Sequence, residues 1–176
     1  MLLTSDEIEL RLLELQKVRI DLDGDPVASG LASINKKIAE LQGWKDRVSA
    51  LLIEAIKNKT EAQLLSESKK FEYDQQQNVL FATDPEVQNQ KNEKSRTAVA
   101  STKMAEQVLQ THYAEKDLLA ADAYYKCVQQ VYMNLEGANS NLSRQISVVQ
   151  MSLQVGELNR EVVGDLFGKT MRVKQS

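Results

Sequence analysis

Two long stretches of this chain repeat large apolar residues at alternating three- and four-residue steps, a spacing that few folds accommodate. In the first, Leu31, Ile34, Ile38, Leu41, Val48 and Leu52 follow the pattern, with Lys45 in one slot. In the second, Leu118, Tyr125, Val128, Tyr132, Leu135, Leu142, Ile146, Val149 and Leu153 keep it, with Ala121 and Asn139 in two slots. Such a period marks a helix with a narrow apolar seam, which is stable only when a second helix covers it. No stretch shows the two-residue alternation of a strand. Just two prolines and seven glycines interrupt 176 residues. The spacing therefore predicts an all-α chain.

Punctuation divides it. Thr4 to Glu7 is a T-x-x-E capping box, in which hydroxyl and carboxylate satisfy each other's backbone N–H groups. It opens a short N-terminal helix within 1–22 that carries Ile8, Leu12, Leu15 and Val18 on one face. "DLDGDP" then stops the helix. Asp21, Asp23 and Asp25 alternate as in a calcium loop, but the sixth and twelfth positions hold Pro26 and Ala32 instead of Gly and Glu. Metal chemistry fails there, and the stretch is a turn. A long helix is expected over 27–81. Asp84 followed by Pro85 is a strong helix start, predicting one or two further helices over 86–163. Residues 164–176, with Lys169, Arg172 and Lys174, are expected to fray. The polar run 86–110 offers few apolar anchors, so it is expected to be exposed or to meet another chain.

Two long helices joined at "FATDPE" should fold back as an antiparallel hairpin, forming one helical domain over 1–176. One hairpin has little interior. A homo-oligomer is therefore expected, held by the second seam: Tyr125, Val128, Tyr132, Leu135, Asn139, Leu142, Ile146, Val149 and Leu153. Asn139 would fix its register.

Catalysis finds few candidates. His112 is the only histidine, and no nucleophile–base arrangement can be built on it. "FGKTMR" lacks the first glycine of a phosphate loop and follows no strand. The reading is a protein that is not an enzyme and needs no cofactor or metal. Cys127, the single cysteine, cannot form an intrachain disulfide and suits a reducing cytoplasm, as small apolar filler. The acidic N-terminus is unlike a signal peptide, and no apolar run is long enough to span a membrane. Net charge is −3. Residues 1–25 hold seven acids and three bases, while residues 26–110 hold eleven acids and twelve bases. Any anion-binding surface must be local.

Its candidates are Lys57 and Lys59, then Lys69 and Lys70. Continuing the first seam beyond Leu52 gives Ala55, Lys59, Ala62 and Ser66, so large apolar residues cease at Lys59. On one reading the hairpin splays there and the lysines are simply solvated. On the other, the splayed end offers them to a polyanion, with Asn58, Phe71 and Tyr73 adding hydrogen bonds and base stacking. The residues alone leave both open.

Two segments together resemble the phage recombination mediator UvsY family. Residues 55–63, "AIKNKTEAQ", stand against the family's "ALKARLDYY". Residues 114–122, "AEKDLLAAD", stand against "ADKDVLKVD", with Gly137-Ala138 following at the family's ungapped distance. The resemblance implies a small helical, ring-forming protein that binds single-stranded DNA and loads a RecA-like recombinase onto strands covered by single-strand-binding protein. It places Lys57 and Lys59 on the family's DNA-binding basic pair, and implies a host-cytoplasmic location for a phage-encoded chain. Where the family has two more bases just upstream, this chain has Ile53 and Glu54. The interval between the two segments is also longer here. The rival reading is a structural or scaffolding coiled-coil protein without DNA binding.

Overall fold

The structure, a computed structural model, describes residues 2–20, 22 and 24–172, with side chains through residue 157. Asp21 and Asp23 of the aspartate turn lie outside the described residues, as do the side chains of the terminal segment expected to fray. Five helices follow in order: α1 (Ser5–Leu15), α2 (Pro26–Thr83), α3 (Pro85–Gln88), α4 (Glu93–Lys103) and α5 (Ala105–Arg172). The described residues contain no strand. The protein is all-α, a helical hairpin in which α2 packs against α5. No described helix is long and apolar enough to cross a membrane. The chain divides into two compact units, Met1–Lys17 with Val48–Gln130 and Val18–Arg47 with Val131–Ser176.

In the first unit the capping box forms as expected. The Glu7 amide donates to Thr4 Oγ1 at 3.3 Å, and the Thr4 amide donates to Glu7 Oε2 at 2.7 Å. The Thr4 amide, and then its hydroxyl at 3.0 Å, donate to Glu7 Oε2 and hold the Glu7 carboxyl below its ordinary value. α1 closes at Leu15, earlier than the sequence implies, because the Lys17 amide donates to Glu14 O and tightens the last turn. Leu15 is buried.

At the far end, Asp84 caps α3 as expected, its Oδ1 accepting from the Glu86 and Val87 amides. That helix lasts four residues. Asn92 then caps α4 by accepting from the Ser95 amide. Most of 86–110 is exposed, as expected. Its few apolar anchors, Val87, Ala100 and Met104, are buried within the chain. Lys103 reaches both Asp84 at 2.6 Å and Glu86 at 2.7 Å, and the Arg96 guanidinium donates to the Gln88 and Gln90 carbonyls. Three well-placed anchors, fixed by caps and ion pairs, suffice for so short a segment.

In the second unit, Asp25 Oδ1 accepts from the Val27 and Ala28 amides and starts a turn at Pro26. Gly30 then adopts φ 73° and ψ 167°, a conformation open essentially only to glycine. It ends that turn, so the regular helix begins after it. From there Ile34 and Leu41 are buried at seven-residue spacing, as are Leu135, Leu142 and Val149 on α5. The polar slot occupied by Lys45 is satisfied by Glu136, 2.7 Å away. Lys45 keeps its stem in the seam and its ammonium at the edge.

Candidate nucleic-acid interface

The lysines lie on α2 within the first unit, and the geometry there starts from alanines. Ala55 and Ala62 continue the seven-residue line and are completely buried, with Asn58 and Ser66 at 4% and 5% exposure. On α5, Ala114 and Ala121 are buried likewise. Small side chains let helices approach closely. The hairpin therefore does not splay where the large residues cease, and the expectation common to both readings of the lysines is overturned. The seam changes from large to small side chains and stays shut.

α1 completes the covering. Asn58 Oδ1 accepts the Leu3 amide at 2.8 Å, so Asn58 is occupied inside the fold and unavailable to nucleic acid. The Arg11 guanidinium lies 3.3 Å from Glu54 Oε1. Tyr124 is 1% exposed beside this pair, and its hydroxyl has no hydrogen-bond partner. Burial first, then the Glu54 charge, pushes the phenol up to about 12.

The four sequence-selected lysines occupy four different environments. Lys59, half-buried, places Nζ 2.6 Å from Asp122 Oδ1 and 4.7 Å from the centre of the Tyr125 ring. Asp122 offers its other oxygen to Lys126 at 2.7 Å. Both ammonium groups, Lys126 foremost, hold the Asp122 carboxyl below its ordinary value. Lys69 pairs with Glu72 at 2.7 Å along its own helix, and Lys70 with Glu115 of α5 at 3.2 Å. Lys57 points outward, exposed, and makes no ion pair among the described residues. The structure thus separates the proposed pair: Lys59 belongs to the packing and Lys57 to the surface. Of the two aromatics, Phe71 is exposed, whereas the Tyr73 hydroxyl lies 3.2 Å from Ser101 Oγ and accepts from Gln77.

The assigned oligomer seam has a partner within the chain. Val128, Leu135, Leu142 and Val149 are buried, while Tyr125, Tyr132, Asn139 and Ile146 are half-buried at its margins. Only Leu153 is largely exposed. Periodicity identified the apolar face correctly, and α2 of the same chain packs against α5 there. Cys127 is exposed instead of filling space, and His112 lies on the surface. The described residues contain no cluster of His, Cys, Asp and Glu able to hold a metal.

Sequence reasoning missed Asp122 and the Arg11–Glu54–Tyr124 cluster. Asp122 had a visible signal: it closes the second family-like word and follows Ala121 of the apolar seam, where a carboxylate needs a cation. No family model, curated protein or solved structure matches the chain.

Proposed function

We propose that this protein is a non-enzymatic recombination mediator that binds single-stranded DNA. In this role it helps load a RecA-like recombinase onto strands covered by single-strand-binding protein, and it works as a homo-oligomer. One observation supports the reading above the others. The two family-like segments, 55–63 and 114–122, are far apart in the chain yet meet in the fold through the Lys59–Asp122 ion pair. Four of their five alanines, Ala55, Ala62, Ala114 and Ala121, are buried, and Ala120 is exposed. The register of the hairpin brings both words into one packed layer.

On this reading the labour divides. Lys59 and Asp122 hold the hairpin closed, and Lys57 meets phosphate as a point charge. Lys70, 62% exposed in its side chain, can exchange Glu115 for a phosphate at little cost, because exposed ion pairs are weak. Lys69 would do so less readily. Each subunit offers few contacts, so useful affinity comes from several subunits on one strand. Nothing over 51–75 reads base edges, and binding would be indifferent to sequence.

The test is fluorescence anisotropy of a labelled oligonucleotide across a salt series. Each phosphate contact contributes a slope of about −0.7 in log–log form. Lys57→Ala should flatten the slope without altering helicity or melting, whereas Lys59→Ala should also lower stability. A second reading, a structural coiled-coil protein, draws on the charge of the same surface. Residues 51–75 hold five acids and four bases, and three of the four bases already face carboxylates. Absence of wild-type binding at low salt would decide for that reading.

A further inference from the structure

The face of α2 opposite the alanine line carries a second, unpartnered stripe. Ile53, Lys57, Thr60, Leu64, Glu67 and Phe71 follow alternating four- and three-residue steps and are all exposed. Ile53, Leu64 and Phe71 are 56%, 62% and 62% exposed. At 100° per residue, the six lie within about 40° of a line diametrically opposite Ala62. The stripe is therefore a coiled-coil seam turned away from α5, with large apolar residues at both ends and one in the middle.

We propose that this stripe pairs antiparallel with the same stripe of a second copy, about a twofold axis level with Ala62. The sequence is complementary to its own reversal. Running the second helix backwards about residue 62 sets Ile53 opposite Phe71, Lys57 opposite Glu67, and Thr60 opposite Leu64, and each pairing occurs twice by symmetry. It also aligns the positions as antiparallel coiled coils require. A parallel arrangement would instead set Lys57 against Lys57 and Glu67 against Glu67, which repel. Glu67 uses Oε1 to accept from Gln63 at 2.9 Å, an arrangement that leaves Oε2 to face the ammonium. Glu61 of each copy flanks the axis and is the one unfavourable neighbour, which keeps the association moderate.

This pairing is independent of DNA. In the paired state Lys57 faces Glu67 of the other copy, so phosphate and carboxylate would compete for one ammonium.

Sedimentation velocity of the full chain without DNA should show a concentration-dependent monomer–dimer equilibrium or even-numbered assemblies built from it. Leu64→Asp or Phe71→Asp should weaken association by about tenfold or more, because each substitution counts twice across the axis. Lys57→Glu should weaken it as well, and Lys57→Glu with Glu67→Lys should restore it. All these positions are exposed, and unchanged circular dichroism would show that the variants fold. In a Cys127→Ser background, a bis-thiol reagent spanning about 10 Å should link Glu61→Cys to its own copy, since the two positions stand on the order of 9 Å apart across the axis. Ile53→Cys should not, since its own copies lie about 27 Å apart at 1.5 Å per residue. A wild-type monomer at every concentration, an assembly whose mass ignores Leu64→Asp, Phe71→Asp and Lys57→Glu alike, or equal cross-linking at 53 and 61 would each overturn the proposal. DNA binding can fail in the anisotropy assay while every one of these results still holds.

Discussion

Replacing Ala62 with leucine tests whether the alanine line closes the hairpin. Ala62 is completely buried, between Asn58 and Ser66 on its own helix and close to the 2.6 Å Lys59–Asp122 pair. Leucine adds three carbons. Were the surrounding space free to accept them, their burial would contribute about 2.4 kcal/mol, at about 0.8 kcal/mol per methylene. The space is not free. Helices in contact through alanine approach to about 8 Å, and leucine asks for about 10 Å. Opening the helices by about 2 Å would break the Lys59–Asp122 contact and admit water beside Asn58. Staying closed would force leucine into a strained rotamer, typically at about 1–3 kcal/mol. Either response erases the transfer gain. Ala62→Leu should therefore destabilise the protein by about 2 kcal/mol, lowering the melting temperature by about 4–8 °C for a chain of this size. Ala50→Leu, at an exposed position of the same helix, should change stability by only a few tenths of a kcal/mol (about the difference in helix propensity). Urea and thermal unfolding followed by far-UV circular dichroism measure both. An unchanged or raised midpoint for Ala62→Leu would mean that the helices already stand apart, and the closed-seam argument would fall.

Other outcomes follow from the same geometry. The Asp122 carboxyl is held below its ordinary value, mainly by Lys126 and Lys59, so its stabilisation is complete above the unfolded value and is lost as pH falls through the folded one. Acid unfolding monitored between about pH 5 and about pH 2 should accordingly be shallower for Asp122→Asn than for the wild type. Gly30 and Gly43 should respond oppositely to alanine. Gly30→Ala forces a positive φ and should cost on the order of 1–3 kcal/mol, while Gly43→Ala meets open space within a helix and should add about 0.5–1 kcal/mol; paired denaturation curves would show it. Asn139, half-buried in the seam, should yield higher thermal stability as Asn139→Leu, together with a broader set of assemblies by native mass spectrometry. Identical spectra for both proteins would remove its role in register.

The parts legible from sequence are those in which a local rule and the tertiary environment agree. Thr4 and Glu7 form their capping box, and Asp84 and Pro85 start a helix, because each cap is completed within one turn. Ile34, Leu41, Leu135, Leu142 and Val149 are buried because seven-residue spacing of large apolar groups has one economical solution. Partner choice is not local. Nothing in the spacing of Val128 to Val149 says whether the covering helix belongs to the same chain, and here it does. Nor does composition distinguish a seam that ends from one that narrows. Ala55, Ala62 and Ser66 look like the loss of a core when ranked by hydrophobicity, yet all three are buried. The same limit governs the lysines. A sequence displays four cations, but a carboxylate such as Asp122 or Glu115 becomes a neighbour only once the register of the hairpin is set. Lys57 stands out only by subtraction, as the cation that register leaves facing outward. Its position in an exposed apolar stripe that matches its own reversal turns attention from single charges to the whole outer face of α2. A point charge can serve a polyanion on any surface, whereas Ile53, Leu64 and Phe71 gain by being there only if something covers them.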